Sequence, residues 1–293
     1  MAKLAIESRG ADIAFFTPPG PLFPSVIMPQ RVHASARTVA EYAGTLSKIS
    51  LRRSFLDALS KIQPIKVDFH SGDDEIFLSF APASSREEEA FRTVMVVDAL
   101  PDGWEFSNEE RREITVLIAD ALDLLERVTP EVGTALRTIV GAFLIARLKH
   151  YEGGSISNLM GAIWLALPTS RPAMTFAEII LHEYVHQCLF LDDMVHGIFP
   201  HGEDRMAQRD GEVTSAILKI NRGYDKAFHS AFVAFVLAIF YQKLGLADTM
   251  NGFLEPLQVT LPQLQSKSHF LTDHGRILLN ELVGAYVHSV APA

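Results

Sequence analysis

The segment AEIILHEYVHQCLFLDD, residues 177–193, constrains this chain more than any other feature. It is apolar around most of its circumference, yet it holds two histidines and a glutamate. On a helix, His182 and His186 project from one face, a single turn apart. With Glu183 they form H-E-x-x-H, a metal-binding pattern. A glutamate among apolar neighbours is costly unless it is paired or neutralised, and a metal with bound water would compensate it. The alternative is two hydrogen-bonded core histidines beside a chance glutamate.

A metal site needs at least one further ligand. The longer zincin pattern H-E-x-x-H-x-x-G-x-x-H is excluded, because Leu189 and Asp192 stand where it needs glycine and histidine. Cys188 lies two residues after His186, about 200° around the helix, so it should point away from the metal and act as a small apolar residue. The remaining candidates all follow this segment in the chain: His196, His201, Glu212 and His229.

His229 is the favoured third ligand. It begins the most apolar predicted helix, DKAFHSAFVAFVLAIFYQKL, so its ring should be buried near a site that lacks a ligand. Glu212 is the rival, because VTSAILKI after it has a helical pattern and some metallopeptidases take their third ligand from a glutamate on a later helix. His196 and His201 lie on a predicted loop with glycine and proline, where an exposed polar role is equally expected.

The pattern of elements predicts an α+β protein. Its C-terminal half, residues 105–293, should be predominantly helical and bind the metal. A smaller strand-containing N-terminal part, residues 1–104, is a candidate peptide-binding region, and the two parts are compatible with one continuous domain.

Strands are predicted at 65–70, 75–81, 92–100 and 158–168. Helices are predicted over 35–62 with a break near Ser50, from Ser107 with a capping box to Glu110, from Pro130 through ALRTIVGAFLIARL, from Thr175 with a capping box to Glu178, from a cap at Asp225 to Gly245, and over 274–288.

The composition of the chain excludes several classes of function. Of its 293 residues 48% are hydrophobic and 21% charged, as in soluble globular proteins. A net charge of −9 argues against a nucleic-acid partner. The longest apolar run, 231–241, is shorter than the roughly 20 residues that a membrane span needs. The N-terminal residues lack the apolar core of a signal peptide. We therefore expect a cytoplasmic protein without a membrane or nucleic-acid partner.

Four blocks of the chain, between about residues 155 and 285, resemble a family of H-E-x-x-H peptide-modification proteins that occur with ribosomally synthesised, modified peptides. The blocks are MGAIWLALP, TFAEIILHEYVHQ, INRGYDKAFHSAFVAFVLAIFYQ and FLTDHGRILLNEL. The chain departs from the family at residues 223–226, where Asp-x-Arg-Pro is usual, and at Tyr184, where phenylalanine is usual.

This resemblance implies an iron(II), α-ketoglutarate-dependent dioxygenase that β-hydroxylates side chains of a precursor peptide in natural-product biosynthesis. Matched residue by residue, His182 and His186 would be iron ligands and His229 the third. Arg222 or Arg276 would bind the distal carboxylate of α-ketoglutarate, because a guanidinium binds carboxylates bidentately. Glu183 would orient a ligand or bound water.

Two other functions remain open at this stage. In a zinc metallopeptidase Glu183 would be the general base, and Glu212 or His229 would complete the site. Imidazole ligands suit iron and zinc alike, so the sequence does not select the metal. A helical binding module with a structural metal is the least favoured, because structural zinc usually has four protein ligands and favours cysteine. The substrate is either a peptide or a carrier-bound or free amino acid.

Overall fold

The computed structural model describes residues 23–48, 50–65, 75–80, 85–95, 105–147 and 152–290. Helices predominate in these ranges and the sheets are small, so the α+β prediction with a mostly helical C-terminal half is confirmed. The described helices are α1 Pro29–Tyr42, α2 Leu51–Ile62, α3 Ser85–Met95, α4 Asn108–Val128, α5 Pro130–Ile139, α6 Ala173–His196, α7 Glu203–Met206, α8 Tyr224–Lys243, α9 Ala247–Ser266 and α10 Asp273–Val290. The strands are β1 Phe77–Ser79, β2 Ala142–Ile145, β3 Gly153–Gly154, β4 Ala162–Leu165, β5 Val213–Thr214 and β6 Asn221–Arg222.

The larger sheet has the strand order β1-β2-β4-β3. Strands β1, β2 and β4 are parallel, and β3 pairs with β4 in the antiparallel direction at the edge. Both residues of β3 are glycines because both are crowded. A Cβ at Gly153 would come 2.4 Å from Cγ2 of Ile179, and one at Gly154 would come 2.0 Å from the indole of Trp164. This edge strand therefore packs closely against helix α6 and under the Trp164 ring.

Helices α6 and α8 lie at the centre of the core. Nearly every residue of α8 is buried, and α6 contributes Leu181 and Tyr184 to the same cluster as Phe232 of α8. Val32 of α1 and Phe55 of α2 belong to that cluster too, so segments from both halves of the chain share one hydrophobic core. None of the helices in the described ranges is sufficiently long and apolar to cross a membrane.

The C-terminal end of α6 is held by polar contacts from distant parts of the chain. Asp192 is 1% exposed and accepts a hydrogen bond from Nε of Arg31 at 2.7 Å. Its other carboxylate oxygen lies 2.5 Å from Nε2 of His274 in α10. Just beyond α6, the Thr272 hydroxyl donates to the Gly197 carbonyl at 2.6 Å. Residues of α1, α6 and α10 are thereby joined at one point.

Several local predictions are confirmed. Ser50 separates α1 from α2 and caps α2, accepting a hydrogen bond from the Arg53 amide. Ser107 and Glu110 form the predicted capping box of α4. Pro130 occupies the first turn of α5, and Gly245 follows α8 with a φ of +73°, which suits glycine.

Predictions near the site were wrong in three places. Helix α6 begins at Ala173 after Pro172 and has no side-chain cap, so Thr175 does not start it. Asp225 does not cap α8, because α8 begins at Tyr224 and Gly223 precedes it. The segment VTSAILKI is not a helix but forms β5 and the turn that leads to β6.

Two apolar runs adopted a different structure from the one predicted. The run predicted to continue α5 instead forms β2 at 142–145, because α5 ends at Ile139. Of the strand predicted at 92–100, residues 92–95 belong to helix α3, and residues 96–100 lie outside the described residues. The strands predicted at 75–81 and 158–168 are shorter in the structure, β1 at 77–79 and β4 at 162–165, and residues 157–159 form a 3₁₀ turn before β4. Residue 81 and residues 66–70 of the first predicted strand lie outside the described residues.

Candidate active site

A cavity of about 500 Å³ opens beside the middle of α6. Its lining comes from the end of β3 and the residues after it, Trp164 of β4, the histidine face of α6, Glu203 of α7, the β5–β6 hairpin, and the first turns of α8. The volume lies in the range of cavities that hold small ligands. His182, Glu183, His186, Arg222 and His229 all line it, so five of the six residues predicted for the site meet in one place.

His182 and His186 face each other across one turn of α6. Their Nε2 atoms lie 3.3 Å apart. Two nitrogens that each bind a tetrahedral ion at 2.0–2.1 Å are separated by about 3.4 Å, so the pair has the spacing of two ligands on one metal. Burial lowers the pKa of His182 to about 4. Burial, with the nearby histidines and Arg222, lowers the pKa of His186 well below its ordinary value. Both rings are therefore neutral at pH 7, as metal binding requires.

His229 meets the other side of the His186 ring. Its Nδ1 lies 3.0 Å from Nδ1 of His186, while Nε2 of His186 faces His182. A ring directs only one of its nitrogens at a given ion, so a metal between the two Nε2 atoms would leave His229 as a hydrogen-bond partner of His186. Across the described ranges, no three or more histidine, cysteine or acidic side chains converge as a metal-binding group. The assignment of His229 as third ligand stays a prediction.

Glu183 is buried beside His182. Its side chain accepts a hydrogen bond from the Ser155 hydroxyl at 2.8 Å, and its other carboxyl oxygen lies 3.7 Å from Nε2 of His182. Burial raises the pKa of Glu183 to about 8, against the lowering effect of Ser155. The carboxyl group therefore holds a proton near the histidine pair at neutral pH, and a bound cation would favour its release.

The two cations that line the cavity differ in their partners. Lys226 pairs with Glu203 at 3.0 Å and with Asp225 at 3.2 Å. The Arg222 side chain forms no hydrogen bond or ion pair within the part of the chain that the structure describes, although its charge contributes to the lowered pKa of His186. Its guanidinium is thus open to an anionic ligand beside the histidines.

The other predicted arginine lies elsewhere. Arg276 does not line the cavity. It donates to the Leu271 carbonyl at 2.8 Å and pairs with Asp273 on the protein surface. The block FLTDHGRILLNEL, which contains Arg276, has a packing role here, because a Cβ at Gly275 would come 2.6 Å from the Ile198 carbonyl oxygen.

The rival ligands also lie outside the cavity lining. Glu212 is exposed, and its carbonyl accepts a hydrogen bond from Lys267. His196 packs against His274, with ring centroids 5.0 Å apart, and His201 packs edge-on against Phe270. Cys188 is buried in the core, as expected for a small apolar residue.

Sequence reasoning did not find the residues that surround the histidine pair. Ser155, which supports Glu183, follows two glycines in a segment with no motif. Lys226 and Glu203 are ordinary charged residues in sequence, and only their ion pair in the cavity distinguishes them. Trp164 was predicted as part of a strand, but its role in the cavity depends on the pairing of Trp164 with Gly154 across β3 and β4. No local sequence pattern predicts that pairing.

Comparison of the chain with models of protein families gives no match, and comparison with curated proteins gives none either. The resemblance to the H-E-x-x-H peptide-modification proteins therefore stays a prediction.

Proposed function

We propose that this protein is a non-haem iron(II), α-ketoglutarate-dependent oxygenase that hydroxylates a side-chain carbon of a peptide or amino-acid substrate. The observation that carries the proposal is the unpaired Arg222 guanidinium in the same cavity as the His182–His186 pair. An anionic co-substrate that binds a metal at one end needs a cation for its far carboxylate, and arginine provides a bidentate partner.

His182 and His186 would hold the metal through Nε2, since their spacing fits two ligands on one ion. His229 supports this arrangement at the opposite nitrogen of His186, where a hydrogen bond fixes which nitrogen is free to bind. Bound iron(II) would supply the activation of dioxygen, and the positions not taken by protein would accept co-substrate.

The remaining lining residues prepare the site for this chemistry. Arg222 would orient α-ketoglutarate through its distal carboxylate. Glu183, held by Ser155, keeps an exchangeable proton next to His182. We place this activity in the cytoplasm, in natural-product biosynthesis, without a nucleic-acid or membrane partner.

A second function is favoured by one observation. The Glu183 carboxyl lies 3.7 Å from His182 Nε2, where a bound cation would favour release of its proton and leave a carboxylate able to take a proton from water. That position is what a zinc metallopeptidase requires of its general base.

The test uses protein purified without oxygen, to which Fe(II), α-ketoglutarate and O2 are then added. Succinate should form, and it should be absent with His182→Ala or His186→Ala. Arg222→Ala should take up metal but form little succinate, whereas Arg276→Ala should behave as the unmodified protein. Absence of succinate, together with zinc-dependent peptide cleavage that requires Glu183, would reject the oxygenase in favour of the peptidase.

A further inference from the structure

One part of the cavity lining is apolar, and we call it the apolar wall. It consists of Ile156, Trp164, Ile217 and Leu218. These residues come from three separate segments: the chain after β3, strand β4, and the turn between β5 and β6. They share a cavity with the histidine pair, so a ligand held at the histidines extends along this surface.

The part of the Trp164 side chain that lines the cavity is apolar. Its indole lies directly over the backbone of Gly154, where a Cβ would be 2.0 Å from the ring. The residue is partly exposed, yet its indole nitrogen is buried without a hydrogen-bond partner among the described residues. The accessible part of the ring is therefore apolar, and it is held in place by β3 beneath it.

The hairpin turn brings large aliphatic side chains to the mouth of the cavity. Leu218 is 52% exposed and lines the cavity beside Ile217. The base of the hairpin is anchored to α9, because Thr214 accepts a hydrogen bond from Thr260 and donates one to Gln263. Large aliphatic side chains exposed at the mouth of a ligand cavity indicate a surface that is covered in the bound state.

The charges of the lining favour a capped substrate over a free amino acid. Glu203 and Asp225 are both engaged with Lys226. Glu183 is buried against Ser155. Among the described lining residues, no unpaired carboxylate is therefore left for the ammonium group of a free amino acid, whereas the uncharged backbone of a peptide needs none.

We propose that the apolar wall receives a large apolar side chain of a peptide, so that the protein selects peptides carrying such a residue at or beside the modified position. This inference rests on the proposed function and names its substrate class. Leu218 provides contact area at the rim, and Trp164 provides the rigid surface within.

The experiment uses Trp164 as its own reporter. The chain has two tryptophans, so Trp104→Phe leaves Trp164 as the single tryptophan, whose emission is excited selectively at wavelengths where tyrosine does not absorb. The probes are the acetylated and amidated tripeptides Gly-Leu-Gly, Gly-Ser-Gly and Gly-Lys-Gly, with free leucine for comparison. Binding is titrated by Trp164 emission, with and without Mn(II) as a redox-inert metal. We expect the leucine peptide to alter the emission and to bind about tenfold more tightly than the serine peptide, from the apolar area covered.

Two variants locate the effect. Leu218→Asp should weaken the leucine peptide about tenfold and leave the serine peptide unchanged. Leu246→Asp is the matched control, because Leu246 is 44% exposed, precedes α9 and does not line the cavity. Leu246→Asp should change the affinity for neither the leucine peptide nor the serine peptide.

The outcomes separate this inference from the proposed function. Equal binding of the leucine and serine peptides, tighter binding of free leucine than of its peptide, or no effect of Leu218→Asp would overturn the apolar wall. The proposed oxygenase function would be unaffected by that result, because metal uptake and succinate formation test it separately. A leucine preference without any metal uptake would instead reject the oxygenase and support the wall as a peptide-binding surface.

Discussion

Nδ1 of His229 lies 3.0 Å from Nδ1 of His186, on the side of the ring that faces away from His182. His186 is thus the middle member of a chain of three imidazoles. Each of its nitrogens has a different neighbour, and this division of contacts gives His182 and His229 different expected effects on metal binding.

Replacement of His229 by alanine should weaken metal binding about 10- to 100-fold without changing its stoichiometry, as expected when an outer hydrogen-bond partner of a ligand is lost. His182→Ala should abolish stoichiometric binding. Titration with Mn(II) and Zn(II) measures both. If His229→Ala were to abolish binding as completely as His182→Ala does, then His229 would be a ligand after rotation of a ring, as the sequence predicts.

Arg222→Lys should retain metal binding but raise the KM for α-ketoglutarate, because an ammonium group keeps the charge and loses the bidentate geometry. Arg222→Ala should raise it further. Isothermal titration with α-ketoglutarate in the presence of Mn(II) measures the binding step alone. The matched control is Arg276→Ala, since Arg276 pairs with Asp273 outside the cavity. Equal effects at the two arginines would contradict the assignment of Arg222.

Glu183→Gln should stabilise the metal-free protein at neutral pH. The folded-state pKa of Glu183, about 8, is above its ordinary value of 4.5, so the folded protein binds the proton more tightly than the unfolded chain. Its unfavourable contribution therefore grows as pH rises from 4.5 to 8, by about 1.4 kcal/mol per pH unit. Urea unfolding at pH 5.5, 6.5 and 7.5 should show a gain for Glu183→Gln that increases with pH.

His182→Gln should show the opposite pH dependence. The pKa of His182 falls from 6.5 to about 4 on folding. Above pH 6.5 the ring is neutral in both states and its protonation does not affect stability. Below pH 6.5 the unfolded chain binds the proton more tightly, so the free energy of unfolding decreases as pH falls toward 4. The variant should gain about 1 kcal/mol relative to the unmodified protein at pH 5.5, and this gain should vanish at pH 7.5. A gain from either variant that does not change with pH would argue against burial as the cause.

Gly154→Ala should displace the Trp164 ring, because the new methyl carbon would lie 2.0 Å from it. We expect a loss of about 1–3 kcal/mol in the free energy of unfolding and a changed Trp164 emission in the Trp104→Phe background. Gly284→Ala is the control, since nothing lies within 4 Å of that position in α10. It should stabilise the protein by about 0.4–1 kcal/mol. Unchanged stability and emission for Gly154→Ala would mean that the ring is not held by β3.

The sequence predicted the metal helix because its signal is local: His182 and His186 share a face at any helical geometry. Local signals also located the cap of α4 at Ser107 and the end of α8 at Gly245. Where apolar composition was the only basis for predicting a helix, the prediction was wrong. Residues 142–145 are as apolar as a helix core, yet they pair between β1 and β4, and that pairing depends on residues far away in the chain.

Two further errors have specific causes. Helix α9 was not predicted because it contains Pro256 and Pro262, which usually end helices, and here its packing against α8 overrides them. The hairpin at 213–222 was taken for a helix because its turn residues are aliphatic, and its Lys219 adopts a φ of +58°, which no common turn motif signals. That hairpin carries Arg222 and Leu218, so the walls of the site were less predictable than its histidines.

The contacts of Asp192 have a consequence for how the protein reaches its native state. The helix with the histidine pair is fastened at one end to Arg31, near the start of the described chain, and to His274, near its end. During synthesis on the ribosome this anchorage cannot be complete until residue 274 has emerged from the exit tunnel. The histidine pair therefore acquires its full support only after α10 has emerged, and chains that stop short of α10 should fail to retain metal.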